Sequence, residues 1–218
     1  EDAERIAASS VFKQWLKTVQ PESNIVSIAE KWLPPSHGNR MRFVALEIDY
    51  LDREGRQHSR IVVLGPNAVA VLVVLINRDT GQRQALLVNQ LRLPAGGMLL
   101  EIPAGTVEGD DDLEGTAIRE VEEETGLKAQ KEDLILLHNP YFSPGRSTEI
   151  ITLYACEITL SSKDIEGMQE KHTGLHEEGE DIRLHLIPFD DLPHTMRDAK
   201  SLLAYYMYME WKGKHLEQ

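Results

Sequence analysis

The chain has 218 residues, 41% hydrophobic and 27% charged, which suits one globular domain with an appendage and excludes a disordered chain. Its formal net charge is −13 and its densest charge run, Glu120 to Glu124, is acidic. A nucleic-acid partner, which needs a basic stripe to displace counterions, is therefore not expected, while a small anion stays open because bound cations reverse an acidic field.

Ile6, Val11, Phe12, Trp15, Leu16 and Val19 fall at helical spacing and predict a helix over residues 2–20, stopped by Pro21. Pro34-Pro35 and His37-Gly38-Asn39 mark a loop. Strand-like runs at 41–50 and 58–64 are joined by the turn Asp52-Arg53-Glu54-Gly55. Residues 1–64 are taken as an N-terminal appendage and 65–218 as the main domain.

After Gly65-Pro66-Asn67, the continuous apolar run Ala68 to Ile76 reads as a strand buried on both faces. It is too short to cross a bilayer, and no membrane partner is expected. Asp79-Thr80-Gly81 turns into a strand at 84–90, and further strands are predicted at 98–103, 133–139, 150–159 and 181–187. The 150–159 run carries the single cysteine, Cys156, as a small core residue, so neither a disulfide framework nor a cysteine-pair zinc site is available. His172 and His176, four apart, lack a zinc pattern. A C-terminal helix near 196–212 sets Leu202, Leu203, Tyr206 and Met207 on one side. Many strands with few intervening helices predict an α/β (α+β) fold, not a doubly wound parallel sheet. No secretory signal is read at the start. The chain opens at Glu1 without a methionine, which leaves room for a removed leader; an intracellular protein of the cytoplasm or an organelle lumen is expected.

The chemistry concentrates in residues 105–127, Gly-Thr-Val-Glu-Gly-Asp-Asp-Asp-Leu-Glu-Gly-Thr-Ala-Ile-Arg-Glu-Val-Glu-Glu-Glu-Thr-Gly-Leu. Asp110 to Asp112 supply an N-cap and Gly126 a stop, so a helix lies between them. Leu113, Ala117, Ile118 and Val121 form its apolar face. Glu120, Glu123 and Glu124, at i, i+3 and i+4, share an adjoining face, where like charges cost roughly 0.2–0.5 kcal/mol per pair. Oxygen donors of this kind suit Mg2+, with Mn2+ as the alternative. Arg119, four residues before Glu123, can hold that carboxylate. An acidic run alone is more often a solvated face. The preceding glycine, the arginine and the closing glycine-apolar pair at fixed distances override that reading.

This segment resembles the Nudix box, G-x5-E-x7-R-E-U-x-E-E-x-G-U with U apolar, at Gly105, Arg119, Glu120, Val121, Glu123, Glu124, Gly126 and Leu127. Asp111 stands where the family has glutamate, a residue that helps fix the loop–helix–loop through the arginine; the departure touches rigidity and not metal binding. The resemblance implies the Nudix fold, a mixed β-sheet sandwiched between helices, with the N-terminal helix and strands appended. It implies divalent ions on Glu120, Glu123 and Glu124, with the Ala104 carbonyl as a further ligand, and Arg119 and Glu123 in the catalytic set.

Three further segments resemble the ADP-ribose and ADP-sugar pyrophosphatase branch: Leu99 to Gly105, Ser143 to Glu149, and Gly174 to Arg183. Residues 1–64 match it only in layout. By this likeness Glu178 is the catalytic base and Glu180 a supporting acid, against a plain reading of both as solvated loop charges. Arg92 would meet the substrate diphosphate, although a surface cation at a strand end fits equally well. Glu101 would contact substrate or an outer metal, or else form a structural salt bridge. Arg146 would reach a phosphate, although a solvent-facing loop residue fits better. Among Trp32, Tyr50, Tyr141 and Phe142, Trp32 is favoured to stack on adenine. Branch members commonly dimerise through their N-terminal parts, and the apolar helix with Phe12, Trp15 and Leu16 needs cover from a second copy or from its own chain. The expected reaction is Mg2+-dependent hydrolysis of ADP-ribose or an ADP-sugar to AMP and a sugar phosphate by a homodimer. The alternatives are a UDP- or GDP-sugar pyrophosphatase and a catalytically silent nucleotide-sugar sensor.

Overall fold

Burial along β4 (Ala68–Asn77) does not alternate: Val69 through Leu75 are all fully inaccessible. This is the pattern of a strand covered on both faces, as its unbroken apolar sequence predicts. The computed structural model in which it is seen describes residues 2–19, 24–32, 43–107, 112–174 and 181–216. β4 pairs antiparallel with β5 (Arg83–Arg92) on one side and parallel with β9 (Ile151–Leu160) on the other, so the sheet is mixed. β6 (Gly97–Glu101), β7 (Ala104–Thr106), β8 (Leu134–His138), β10 (His172–Thr173) and β11 (Ile182–Pro188) complete an eight-stranded sheet. Its order is β10-β11-β5-β4-β9-β8, with β6 on β5 and β7 on β4.

Helices cover both faces of this sheet. Val69, Val71, Val73 and Leu75 share a buried cluster with Ala117 and Val121 of α3 (Leu113–Thr125). Glu157 of β9 is level with Val74 and so lies on the opposite face, where it accepts hydrogen bonds from Tyr208 and Lys212 of α6 (Ala199–Leu216). Burial raises the Tyr208 phenol, and the adjoining Glu157 carboxylate raises it further, so the hydroxyl is a permanent donor. Cys156 is fully buried, and desolvation pushes its thiol up to about 12, as befits an inert core residue.

The chain divides into two compact units, Glu1–Asn67 with Tyr141–Ile150, and Ala68–Pro140 with Ile151–Gln218. Tyr141–Ile150 joins the N-terminal unit. Arg146 O accepts from Val63 N at 2.7 Å, Val63 O from Thr148 N at 3.1 Å, and Asn67 Oδ1 from Ile150 N at 3.1 Å. The N-terminal unit holds an antiparallel sheet, β1 (Asn24–Trp32), β2 (Val44–Leu51) and β3 (Gln57–Leu64). The single helix expected over 2–20 is two, α1 (Asp2–Ala8) and α2 (Ser10–Val19). Ser9 makes the break: its Oγ donates to Ile6 O at 2.8 Å and accepts from Phe12 N at 3.2 Å, the geometry of an N-cap. Phe12 and Trp15, themselves partly buried, pack on Ile6, Val44, Leu46, Ile48 and Leu64 within the same chain.

The strand expected at 98–103 is also two. Pro103 has no N–H to continue a ladder, and the chain changes neighbours there, from β5 to β4. Two short helices follow strands, α4 (Ser162–Glu166) after β9 and α5 (Leu192–Thr195) after β11. Among the described residues no helix is long and apolar enough to cross a membrane.

Leu72 tests the two-face burial. Leu72→Ala should lower stability by about 2–5 kcal/mol, read as a reduced urea midpoint at unchanged slope. A midpoint equal to that of the parent chain would contradict the burial described for β4.

Candidate functional site

Both ends of α3 are set by its sequence. Asp112 at the N-cap accepts from Glu114 N at 3.3 Å, and Gly126, at φ 75°, closes the helix by donating to Glu122 O at 2.8 Å. Asp110 and Asp111 lie outside the described residues. Leu113, Ala117 and Val121 pack on the sheet as expected, while Ile118 is half-buried and stands apart from that cluster.

The same helix carries carboxylates inward. Glu120 is 8% exposed and Glu124 only 2%, a costly placement for charge unless it is satisfied. Glu124 Oε2 accepts from the backbone N–H of Ala104 at 3.0 Å. Glu120 Oε1 lies 2.8 Å from Arg119 Nη2, and the more exposed Glu123 accepts from Arg119 Nη1 at 2.7 Å. Burial alone would lower the Arg119 guanidinium, yet the charges of Glu120 and Glu123 prevail and raise it.

Gly105 explains its own place in the motif. A Cβ there would lie 1.9 Å from both Cδ and Oε1 of Glu120, closer than any non-bonded pair tolerates, so the carboxylate would have to shift. The glycine is needed for close approach: it lets a carboxylate lie directly against the backbone of β7. The structure thus gathers Ala104, Gly105, Glu120 and Glu124, with Arg119 joining Glu123 to them. As described, Arg119 spans Glu120 and Glu123, and among the described residues no group of three or more His, Cys, Asp or Glu side chains stands in a metal-holding arrangement. The donors nevertheless fit a hard divalent cation, being oxygen only and pressed on a backbone with no intervening side chain.

Arg92 and Glu101 are brought together. Glu101, 4% exposed, accepts from Arg92 Nε at 2.9 Å and Nη2 at 2.7 Å, and its other oxygen lies 3.1 Å from Lys200 Nζ. Glu101 is therefore in an ion pair on both sides, and Arg92 is held rather than loose at the surface. Lys200 also pairs with Asp198 at 3.0 Å; Asp198 accepts from Ser201, whose Oγ accepts from Ile102 N at 3.0 Å. Sequence reasoning passed over Asp198, Lys200 and Ser201. The sheet partners of Lys200 and Ser201, Glu101 and Ile102, each lie 99 residues away along the chain, and Asp198 acts through those two neighbours, so no local pattern marks them.

Thr173 of β10 donates to the carbonyl of Glu124, which ties the end of α3 to the hairpin β10–β11. Glu178 and Glu180 belong to the connection of that hairpin and lie outside the described residues. Trp32 ends β1, and its side chain also lies outside them.

Residues 66–206 match the family model described as the NUDIX domain. The chain is 35% identical over 218 aligned positions to "Nudix hydrolase 14, chloroplastic" of Arabidopsis thaliana, covering 92% of this chain and 70% of that protein. It is 40% identical over 103 positions to "ADP-ribose pyrophosphatase" of Bacillus subtilis (strain 168), covering 47% of this chain and about half, 52%, of that one. A solved structure titled "Crystal structure of ADP compounds hydrolase" aligns with a TM-score of 0.64 at 18% identity, over 88% of this chain and 96% of that one, and shares the fold.

Two substitutions probe this arrangement. Gly105→Ala must displace the Glu120 carboxylate, and should weaken Mn2+ binding followed by electron paramagnetic resonance by at least about tenfold, with helix content retained. Undiminished binding would show that Glu120 need not lie on β7. Lys200→Met removes one of the two cations at buried Glu101, leaving Arg92 and the Gln90 amide at 3.4 Å, and should cost about 1–3 kcal/mol in denaturant unfolding; no loss would make the lysine dispensable.

Proposed function

Because the chain belongs to the Nudix family, we propose that it hydrolyses the diphosphate of an ADP-linked sugar, ADP-ribose or a related ADP-sugar, to AMP and a sugar phosphate. The observation that carries this reading is the placement of two buried carboxylates beside β7, Glu120 against Gly105 and Glu124 on the backbone N–H of Ala104. Relatives bear the names "ADP-ribose pyrophosphatase" and "ADP-sugar pyrophosphatase", and others "GDP-mannose pyrophosphatase".

Glu120, Glu123 and Glu124, with the carbonyl of Ala104, would hold Mg2+, or Mn2+ in its place. Such an ion polarises phosphoryl oxygens and lowers the pKa of water. The residues of the chain have the remaining tasks. Arg119 keeps Glu120 and Glu123 from repelling one another. Glu178 takes the proton as water attacks phosphorus and the bridging P–O bond breaks, with Glu180 in support. Arg92 offers its planar fork to the diphosphate; Lys200 shares the charge of Glu101, so that carboxylate keeps a partner when Arg92 turns to substrate. Trp32 stacks on the adenine. A homodimer in which the N-terminal unit helps complete the nucleotide pocket, in the cytoplasm or an organelle lumen, belongs to the same proposal.

The test is release of AMP from ADP-ribose and ADP-glucose, with UDP-glucose and GDP-mannose alongside, with and without Mg2+. Turnover of an ADP-linked substrate should require the ion, vanish in Glu123→Gln and fall by roughly 10²–10⁴-fold in Glu178→Gln. Preferential turnover of a UDP- or GDP-sugar would move the substrate class. Tight binding without turnover of any of the four would identify a silent sensor and overturn the enzyme reading.

A further inference from the structure

Keeping Glu101 paired once Arg92 has left it is one consequence of Lys200; the bonding pattern at the carboxylate carries an earlier one. Val88 pairs with Glu101, so Gln90 and Arg92, further along β5 at the two-residue period, share its side of the sheet. Their donors all fall on one oxygen. Glu101 Oε2 accepts from Arg92 Nε at 2.9 Å, from Arg92 Nη2 at 2.7 Å and from Gln90 Nε2 at 3.4 Å. The other oxygen, Oε1, faces Lys200 Nζ at 3.1 Å.

An arginine that meets a carboxylate with both oxygens open takes them in a parallel fork, the stronger arrangement. Here Lys200 withholds the second oxygen. Arg92 is left with a one-oxygen grip, its side chain 40% exposed and its Nη1 without a partner among the described residues. The lysine holds this place against two costs. It is the second residue of α6, in the first turn, where the helix dipole disfavours a cation, and it is buried. A second acid helps to keep it there: Asp198 Oδ2 lies 3.0 Å from Lys200 Nζ and accepts from Ser201 N at 3.0 Å, the geometry of an N-cap. The atom that caps α6 therefore also fixes the ammonium, which is divided between Asp198 and Glu101.

We propose that Lys200 is a positioning residue for substrate capture: by occupying Oε1 of Glu101 it keeps Arg92 on a grip that a diphosphate can break. The inference rests on the assignment of Arg92 to the substrate diphosphate. Apparent affinity scales with the fraction of chains whose Arg92 is released. Lys200 raises that fraction, and Asp198, which draws on the same ammonium, lowers it.

The two neighbours of Glu101 and Arg92 thus act with opposite signs, and calorimetric binding of ADP-ribose without a divalent ion reads both. Lys200→Met opens Oε1, lets the fork close, and should raise Kd by about tenfold. Asp198→Asn keeps an oxygen to cap α6 but leaves the ammonium to Glu101, and should lower Kd by about threefold. Arg92→Ala should raise Kd, and in that background either change should move it by less than about twofold. A lysine or aspartate acting on the substrate directly would keep its effect without Arg92, and a damaged fold would weaken binding in both variants. The proposal is overturned if the two variants shift Kd in the same direction or not at all, or if their effects persist without Arg92. Should Arg92→Ala bind as tightly as the parent chain, the assignment of Arg92 fails and the role of Lys200 with it, while Mg2+-dependent turnover can still stand. GDP-mannose, which carries the same diphosphate, serves as the probe if ADP-ribose does not bind; failure of both to bind overturns both readings. If the opposite shifts are found and no nucleotide sugar is hydrolysed, the role of Lys200 stands and the enzyme reading alone fails.

Discussion

Two carboxylates pressed against a strand are the constraint around which the larger unit is arranged. Glu120 and Glu124 are buried on α3, and each can stay ionised there only if its surroundings supply positive charge or donors. The backbone N–H of Ala104 serves Glu124, and Arg119 serves Glu120 while also reaching Glu123. Steric room comes from Gly105. The helix cannot roll to relieve the charge, because Ala117 and Val121, on its neighbouring face, are locked into the core with β4. Packing thus holds the acids where solvation alone would not leave them.

The approach to β7 is secured from a second direction. Glu101 and Ile102 precede it by a few residues, and both are tied to the start of α6, one through Lys200 and the other through Ser201. Helix α6 lies on the opposite face of the sheet from α3, and its Tyr208 and Lys212 are anchored on Glu157. Both helical layers therefore converge on the same short stretch of chain. A disturbance at the base of α6 has a direct mechanical route to the carboxylates.

How much of this was legible in the sequence depends on how far apart the interacting residues stand. The box was legible because its glycine, arginine and glutamates act within one helix and the strand before it. β4 was legible because burial on both faces leaves an unbroken apolar run. β1 was not: its pairing with β2 shifts register between Ile25 and Ser27 and again between Glu30 and Trp32, which erases the two-residue period. The break in the N-terminal helix was signalled only by Ser9, in a stretch whose apolar spacing runs on past it. The Lys200–Glu101 pair and the return of Tyr141–Ile150 to the N-terminal unit are long-range contacts that no local pattern encodes.

That return has a consequence for biosynthesis. The N-terminal unit is discontinuous, and its third strand exchanges hydrogen bonds, through Val63, with a segment translated some eighty residues later. Strands β1 to β3 are made before that segment and must wait with one edge unsatisfied while about half of the other unit is synthesised. Contacts of such separation form slowly, and an exposed strand edge invites association with other chains. The order of synthesis and the order of completion are therefore inverted, and folding assistance should matter most in the interval between Leu64 and Ile150.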